Sequence, residues 1–136
     1  MMKQLLLFPL LFFCILMAGC EKDKDTFSAV YDVPNYVDPL IDNDVITVVC
    51  DNSEFRQTFG DDADVLEPID FSRNKLLVVR GTSNYGIDKI EKSLTVSELN
   101  VAIKQNISAV VENWCVAYVV PISFDITNVR LVINYK

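Results

Sequence analysis

The chain has 136 residues, with 12 basic side chains, 19 acidic side chains and no histidine, which gives a formal net charge of −7. This length suits a single domain, and the acidic balance argues against nucleic-acid binding because it repels phosphate. Without histidine, serine and cysteine nucleophiles lack their usual base and zinc lacks its commonest ligand, so we expect neither an enzyme nor a cofactor.

Residues 1–19 have the order of parts found in a secretory signal peptide. Lys3 supplies the positive charge, and the apolar run that follows is shorter than the ~20 residues of a membrane-spanning helix. The sequence Leu-Met-Ala-Gly-Cys, ending at Cys20, resembles the lipobox of bacterial lipoproteins, apart from Met17 where Leu, Val or Ile is usual. The resemblance implies cleavage before Cys20 and acylation of that residue, which would anchor the protein in a membrane. The alternative is an ordinary secretory signal with Cys20 unmodified.

Residues 20–44 are predicted to link this anchor to the folded domain. The charged stretch 21–25 is expected to be a solvated tether, since it has no apolar surface to bury. It also resembles the acidic stretch that directs some Gram-negative lipoproteins to the outer membrane, which is the localisation we expect, on either the periplasmic or the surface face. Pro34 and Pro39 predict an extended lead-in along an edge or across the surface.

The folded domain is predicted to span residues 45–136 and to open with a strand at 45–50, a β-branched run. With Cys20 assigned to lipid, Cys50 and Cys115 are the two cysteines available for a disulfide in an oxidising compartment. The alternative is a pair of buried thiols on separate strands.

A short helix is expected directly after this strand. Asp51 is a suitable N-cap with Glu54 three residues later, the spacing of a capping box. Phe55 and Phe59 fall one turn apart on the same helix face, and Gly60 is typical of a helix C-terminus.

The segment 61–70 is strongly acidic and is predicted to be a loop. A calcium site is one hypothesis for it, because Asp61, Asp62, Asp64 and Glu67 supply the oxygen ligands that hard cations prefer. The alternative is a solvated surface loop, which the lack of the EF-hand ligand order favours.

Two runs, 75–81 and 113–121, are apolar on both strand faces. Both faces must therefore be covered, which places these strands centrally in one sheet. Trp114 is expected in the core rather than at a carbohydrate-stacking surface. The small side chains of Cys115 and Ala117 leave room for the aromatic face of the helix.

Two further strands alternate apolar and polar side chains, at 99–104 and 129–135, and a weaker strand is expected around 87–91. The predicted fold is therefore mainly β (α+β): a small antiparallel sheet or sandwich of five to six strands with one short helix. The lack of a second, alternating helix argues against a parallel doubly wound fold.

The turn at 81–86 is the predicted binding loop, because two glycines frame polar side chains and one aromatic ring on a loop held by a strand. Its candidate contact residues are Thr82, Ser83, Asn84 and Tyr85. The alternative is a plain β-turn with Tyr85 folded over the sheet edge.

Residues 69–72, 76–81 and 85–86 carry an Asp-Phe-Ser entry, an apolar strand ending in glycine, and a turn containing tyrosine. This pattern resembles the C-terminal β-domain of protease-stability lipoproteins, which associate with a surface protease complex. This chain has Asn84-Tyr85-Gly86 where the family has a double-glycine turn before tyrosine. The resemblance implies a shared β fold and a protein partner in the envelope.

The sequence thus predicts a lipid-anchored, non-catalytic binding module of the cell envelope, with a protein such as a protease as its partner and the lipid as its contact with the membrane. A carbohydrate-capturing lipoprotein is the first alternative. A small carboxylate-dependent hydrolase is the second. The identity of the partner and the oligomeric state stay open.

Overall fold

The computed structural model describes residues 27–136, so the predicted signal peptide, Cys20 and the charged tether lie outside the described residues. Within residues 27–136 the fold is mainly β, as predicted, with two sheets and one α-helix. In chain order the elements are β1 (Ala29–Val30), β2 (Thr47–Val49), α1 (Asn52–Phe59), a 3-10 helix (Gly60–Val65), β3 (Asn74–Ser83), β4 (Ile87–Leu94), β5 (Glu98–Gln105), β6 (Glu112–Pro121) and β7 (Arg130–Tyr135).

The first sheet has the strand order β1-β6-β3-β2 and is antiparallel throughout. Its long central pair, β3 and β6, confirms the prediction that the two doubly apolar runs are central strands. The second sheet has the order β4-β5-β7, in which β5 and β7 pair in parallel. This parallel pair was not predicted, because hydrophobic alternation reports which face of a strand is buried and not which way its neighbour runs.

Seven strands form rather than five or six, because the lead-in adds the two-residue β1 to the edge of β6. The lead-in also buries Tyr31 and Val37 in the core, so the folded domain starts before the predicted boundary at residue 45. The strand predicted at 45–50 is shorter than expected. Asp44 turns the chain with a φ of 63° just before it, and the cap of α1 follows directly after it.

The two faces of the first sheet pack against different layers. One face meets the second sheet in a cluster that contains Leu77, Val79, Leu99, Val101, Ile103, Trp114, Val116, Tyr118 and Val120. The other face is covered by α1 and the lead-in, in a cluster that contains Tyr31, Val37, Val49, Phe55, Phe59, Leu66, Leu76, Val78 and Ala117. The prediction that β6 is apolar on both faces, with Ala117 on the side of the helix, is therefore confirmed.

Helix α1 forms where its capping residues predict it. The Asp51 carboxylate accepts the Glu54 backbone N–H at 2.8 Å, and the Glu54 carboxylate accepts the Cys50 N–H at 2.7 Å. Gly60 ends the helix with a φ of 60°, a conformation that glycine adopts without steric cost. The rings of Phe55 and Phe59 lie 5.0 Å apart and cover the sheet face that carries the small side chain of Ala117.

Candidate functional site

The predicted binding loop is only partly a loop. Strand β3 continues through Ser83, so the turn itself is limited to Asn84 and Tyr85, both of which are exposed. Ser83 is fully buried, and the expectation that it contacts a ligand is wrong. Its hydroxyl donates to the Tyr85 carbonyl at 2.6 Å and accepts from the Gln105 side chain at 2.8 Å, so it holds the turn in place.

Thr82 belongs to a closed ring of five hydrogen-bonded polar side chains, called here the polar ring. Arg80 donates from Nε and Nη2 to the Asp38 carboxylate, at 2.9 and 2.7 Å. Asn113 donates to Asp38 at 3.3 Å and accepts from the Thr82 hydroxyl at 2.9 Å. Asn43 completes the ring by donating to Thr82 at 3.3 Å and accepting from Arg80. The polar ring therefore fastens the lead-in to β3 and β6.

Removal of one member of the polar ring is expected to cost more than removal of a surface ion pair. The side chain of Arg80 is only 14% exposed, so Asp38→Ala leaves a largely desolvated guanidinium without its carboxylate, at about 2 kcal/mol. Arg56→Ala is the control, because the Arg56–Asp64 pair is 65% and 69% exposed and such pairs contribute less than about 1 kcal/mol. Urea unfolding of both variants measures the difference. Equal losses would show that the polar ring adds nothing beyond an exposed pair.

An exposed apolar surface lies beside the turn at one end of the sandwich. It consists of Tyr85 with Ile107, Val110 and Val111 from the loop after β5, and it is called here the end patch. Ile107 is fully exposed and Val111 is 71% exposed. Two backbone hydrogen bonds join the two loops. The Gly86 N–H donates to the Ser108 carbonyl and the Asn106 N–H donates to the Gly86 carbonyl, both at 2.9 Å.

Sequence analysis identified Tyr85 but missed the other three members of the end patch. The sequence carried a signal for two of them, because Val110 and Val111 belong to an apolar run at 109–111 that directly precedes the strand β6. Apolar side chains in such a connecting loop have no sheet face to cover, and several exposed together mark an interaction surface.

A cleft of about 610 Å³ opens next to the end patch. Three segments line it: residues 33–38 of the lead-in, residues 87–90 at the start of β4, and residues 111–115 at the start of β6. A volume of this size falls in the range of ligand-binding pockets. The cleft was not predicted, because it is bounded by segments that are distant in the sequence.

Cys50 and Cys115 are free thiols, so the predicted disulfide between them is not formed. Strand β3 lies between β2, which ends one residue before Cys50, and β6, which carries Cys115. In the strand register, Val49, which precedes Cys50, pairs with Leu76 of β3, whereas Cys115 pairs with Arg80 of β3. Four residues along a strand span about 13 Å, well beyond the roughly 7 Å between Cα atoms that a disulfide tolerates.

The two thiols are expected to differ strongly in reactivity. Cys50 is exposed, whereas burial, with a smaller contribution from the charge of Asp38, raises the pKa of the Cys115 thiol to about 12. The thiolate is the reactive form, so brief treatment with iodoacetamide at pH 8 should alkylate Cys50 and leave Cys115 intact until the protein is denatured. Peptide mass mapping identifies the labelled residue. Equal labelling of both thiols in the native protein would contradict this environment for Cys115.

The acidic residues of the calcium hypothesis do not converge. Asp61, Asp62 and Asp64 lie along the 3-10 helix, and Asp64 pairs with Arg56 at 2.8 Å instead of facing the other carboxylates. Across residues 27–136, no group of three or more acidic or cysteine side chains is arranged to hold a metal ion. The segment that includes Glu67 therefore fits the alternative of a solvated surface better.

Trp114 is buried, as predicted, and its indole N–H donates to the Tyr135 hydroxyl at 3.0 Å. It faces the second sheet and offers no stacking surface for a sugar.

The fold and these surfaces define a two-sheet β protein with an apolar end and an adjoining cleft. Comparisons with protein-family models, with curated proteins and with solved structures give no match for this chain. The resemblance to the protease-stability lipoproteins therefore stays a prediction. Among the described residues, no helix has the length and apolar character needed to cross a membrane.

Proposed function

We propose that this protein is a lipid-anchored module of the bacterial cell envelope that binds another protein through the end patch and performs no chemistry. The observation that carries the proposal is the exposure of Tyr85, Ile107, Val110 and Val111 together at one end of the sandwich. Contiguous apolar side chains at the surface of a folded domain are stabilised when a partner covers them. An aromatic ring among aliphatic side chains is also the composition typical of interface centres.

The position of Phe27, where the described residues begin, supports a partner that lies away from the anchoring membrane. Phe27, the first described residue, stacks on Phe124 at a ring distance of 5.2 Å, just beyond the Pro121 end of β6. The end patch lies beyond the opposite end of the same strand, at Glu112. Ten residues of strand span about 30 Å. A lipid attached at Cys20, ahead of Phe27, would therefore hold the end patch on the far side of the domain.

The chemistry of the end patch favours a protein over a carbohydrate. Sugars present many hydroxyl groups that need hydrogen-bond partners, and the side chains of Ile107, Val110 and Val111 offer none. The same side chains pack well against apolar side chains of another protein. Trp114, the residue that could suggest carbohydrate stacking, is buried in the core.

Capture of the partner from the bacterium that makes the protein tests the proposal. Tagged protein is crosslinked in intact envelopes and purified, and we expect one stoichiometric protein partner. Ile107→Ser and Val111→Ser should each reduce the yield of this partner at least about tenfold, since each removes apolar contact area. The matched controls are Val65→Ser and Val96→Ser, which change equally exposed valines elsewhere on the surface and should leave the yield unchanged. No partner, or equal loss in patch and control variants, would overturn the proposal.

A further inference from the structure

We propose that the cleft beside the end patch accepts an extended, basic peptide segment, which adds as a strand to the free edge of β6. This inference deepens the proposed function, on which it rests, by naming the structure and charge of the partner segment. Strand addition supplies affinity through main-chain hydrogen bonds and specificity through alternate side chains.

The hydrogen-bonding pattern shows which backbone groups of β6 face the cleft. The Tyr31 N–H donates to the Ala117 carbonyl at 2.9 Å, so Ala117 faces the β1 side, whereas the Ile122 N–H donates to Arg73 on the β3 side. Successive residues of a strand point their N–H and C=O groups to alternate neighbours. Asn113 and Cys115, which have the same parity as Ala117, therefore turn their backbone groups toward the cleft.

These groups have no backbone partner on that side within residues 27–136, because β1 is too short to reach them. The lead-in leaves the edge of β6 after Tyr31. Pro34 cannot donate to a ladder, and its carbonyl accepts the Val37 N–H at 3.0 Å in a turn that carries the chain away. The edge is thus open over the length of a short peptide strand, at the wall of the cleft.

The side chains around this edge fit an alternating peptide. Val33 and Val37 lie on the lead-in side, and Ile87 and Ile90 lie on the β4 side. Alternate side chains of an added strand would point to these two sides in turn. Apolar residues on the peptide would therefore be covered on both of its faces.

The charge of the cleft fits a basic peptide. Asp88 and Glu112 line it and form no ion pair within residues 27–136. Lys89, the cation that also lines it, already lies 3.7 Å from Glu91. Each carboxylate accepts one hydrogen bond, from the Asn106 side chain to Asp88 and from the Ile87 N–H to Glu112, both at 2.9 Å. Neither charge is neutralised by these bonds, so both carboxylates can attract lysine or arginine on the incoming segment.

The free edge of β4 provides a contrast within the same molecule. It carries Lys89, Glu91 and Lys92, which are exposed charged residues of the type that blocks pairing at strand edges. On the free edge of β6, by contrast, the two residues whose backbone groups face outward, Asn113 and Cys115, have uncharged side chains. The sequence therefore protects one edge and leaves the other open.

Hydrogen exchange with defined peptides tests the inference on the intact protein. The probe is the acetylated and amidated heptapeptide Lys-Val-Thr-Val-Thr-Val-Lys. In the free protein, the amides of Asn113 and Cys115 should exchange roughly a hundredfold faster than those of Trp114 and Val116, which bond to β3. The peptide should slow Asn113 and Cys115 alone. Slow exchange at these amides without peptide, or no slowing at saturating peptide, would overturn the inference.

Two matched peptides and one matched pair of protein variants define the contacts. Replacement of lysine by glutamate in the peptide should weaken binding at least about tenfold, because it replaces attraction to the cleft carboxylates by repulsion. N-methylation of the central valine and of one neighbouring threonine should weaken binding as much, because one of these two N–H groups must face β6 and its main-chain hydrogen bond is lost. Asn113→Pro removes the outward N–H and should abolish binding, whereas Asn113→Ala keeps that N–H and should retain it. Equal binding by the proline and alanine variants would contradict strand addition.

The two proposals can fail separately. If the envelope partner is still captured by the Asn113→Pro variant and lost with Val111→Ser, the end patch binds the partner and the strand inference is wrong. If no partner is captured by the native protein, the proposed function itself is wrong.

Discussion

Replacement of Gly81 by alanine is expected to destabilise the domain by about 3 kcal/mol, because it forces an extra carbon into a tightly packed core. A Cβ atom at this position would lie 2.3 Å from Cζ2 and 2.5 Å from Cε2 of Trp114, its cross-strand neighbour. The indole cannot move aside freely. Its N–H donates to the Tyr135 hydroxyl at 3.0 Å, which in turn donates to the Thr82 carbonyl at 3.2 Å.

Urea unfolding of Gly81→Ala measures this loss, and Gly86→Ala is its control. A Cβ atom at Gly86 would lie 2.5 Å from the side chain of Asn106, which can rotate away only by giving up its hydrogen bonds to the Asp88 carboxylate and the Ser108 N–H. The cost should be about 1–2 kcal/mol, because each lost bond costs about 1 kcal/mol and the backbone need not move. The Gly81→Ala, Trp114→Leu double variant should lose less than the sum of its single variants, because the smaller side chain makes room. Additive losses would show that the clash is not the cause.

The second large effect is expected at Cys20. The native protein should have residues 1–19 removed and should carry the mass of several acyl chains, which together give lasting membrane attachment. Cys20→Ser removes the acylated thiol, so it should abolish the acyl mass and the association with the outer membrane. Intact mass spectrometry with membrane fractionation checks both results.

Cys50→Ser is the matched control for this experiment, since it changes an exposed cysteine of the folded domain and should leave processing and acylation unchanged. Reductant should not alter either mass, because Cys50 and Cys115 are free thiols. Unchanged membrane fractionation of Cys20→Ser, with the same mass addition as the native protein, would contradict the lipid anchor.

Much of the fold follows from local patterns in the sequence. The doubly apolar runs that became β3 and β6 could be covered on both sides only at the centre of a sheet. The helix α1 was predicted from Asp51, Glu54 and Gly60, whose capping chemistry acts within a few residues. Signals of this kind depend on neighbours in the chain and can be interpreted without knowledge of the tertiary structure.

The candidate site was predictable only in part, because it is built from long-range contacts. The Asp38 carboxylate accepts hydrogen bonds from Arg80 and Asn113, which are 42 and 75 residues away along the chain. No local pattern indicates such a pairing. The predicted disulfide between Cys50 and Cys115 was wrong for the same reason, since it depended on strand register.

Ser83 shows a different kind of error. The local pattern correctly indicated a polar residue near a turn, but it placed Ser83 in the exposed turn, whereas the residue is buried at the end of β3. A polar side chain followed by Asn84 is typical of an exposed turn. Here the strand continues two residues further than predicted, to Ser83, and the side chain of Gln105 on β5 donates to the buried hydroxyl. Burial of a small hydroxyl costs little once it is hydrogen-bonded.

The most direct test of the proposed arrangement, in which the domain faces away from its membrane, is photocrosslinking from the two ends of β6. A photoreactive amino acid replaces Val111 in the end patch or Ile122 beyond the other end, both of which are exposed. In the envelope of the bacterium that makes the protein, the probe at 111 should give one discrete protein adduct, and the probe at 122 should give none of it. Equal yields of the same adduct from both ends, or lipid adducts alone from 111, would contradict protein binding through the end patch.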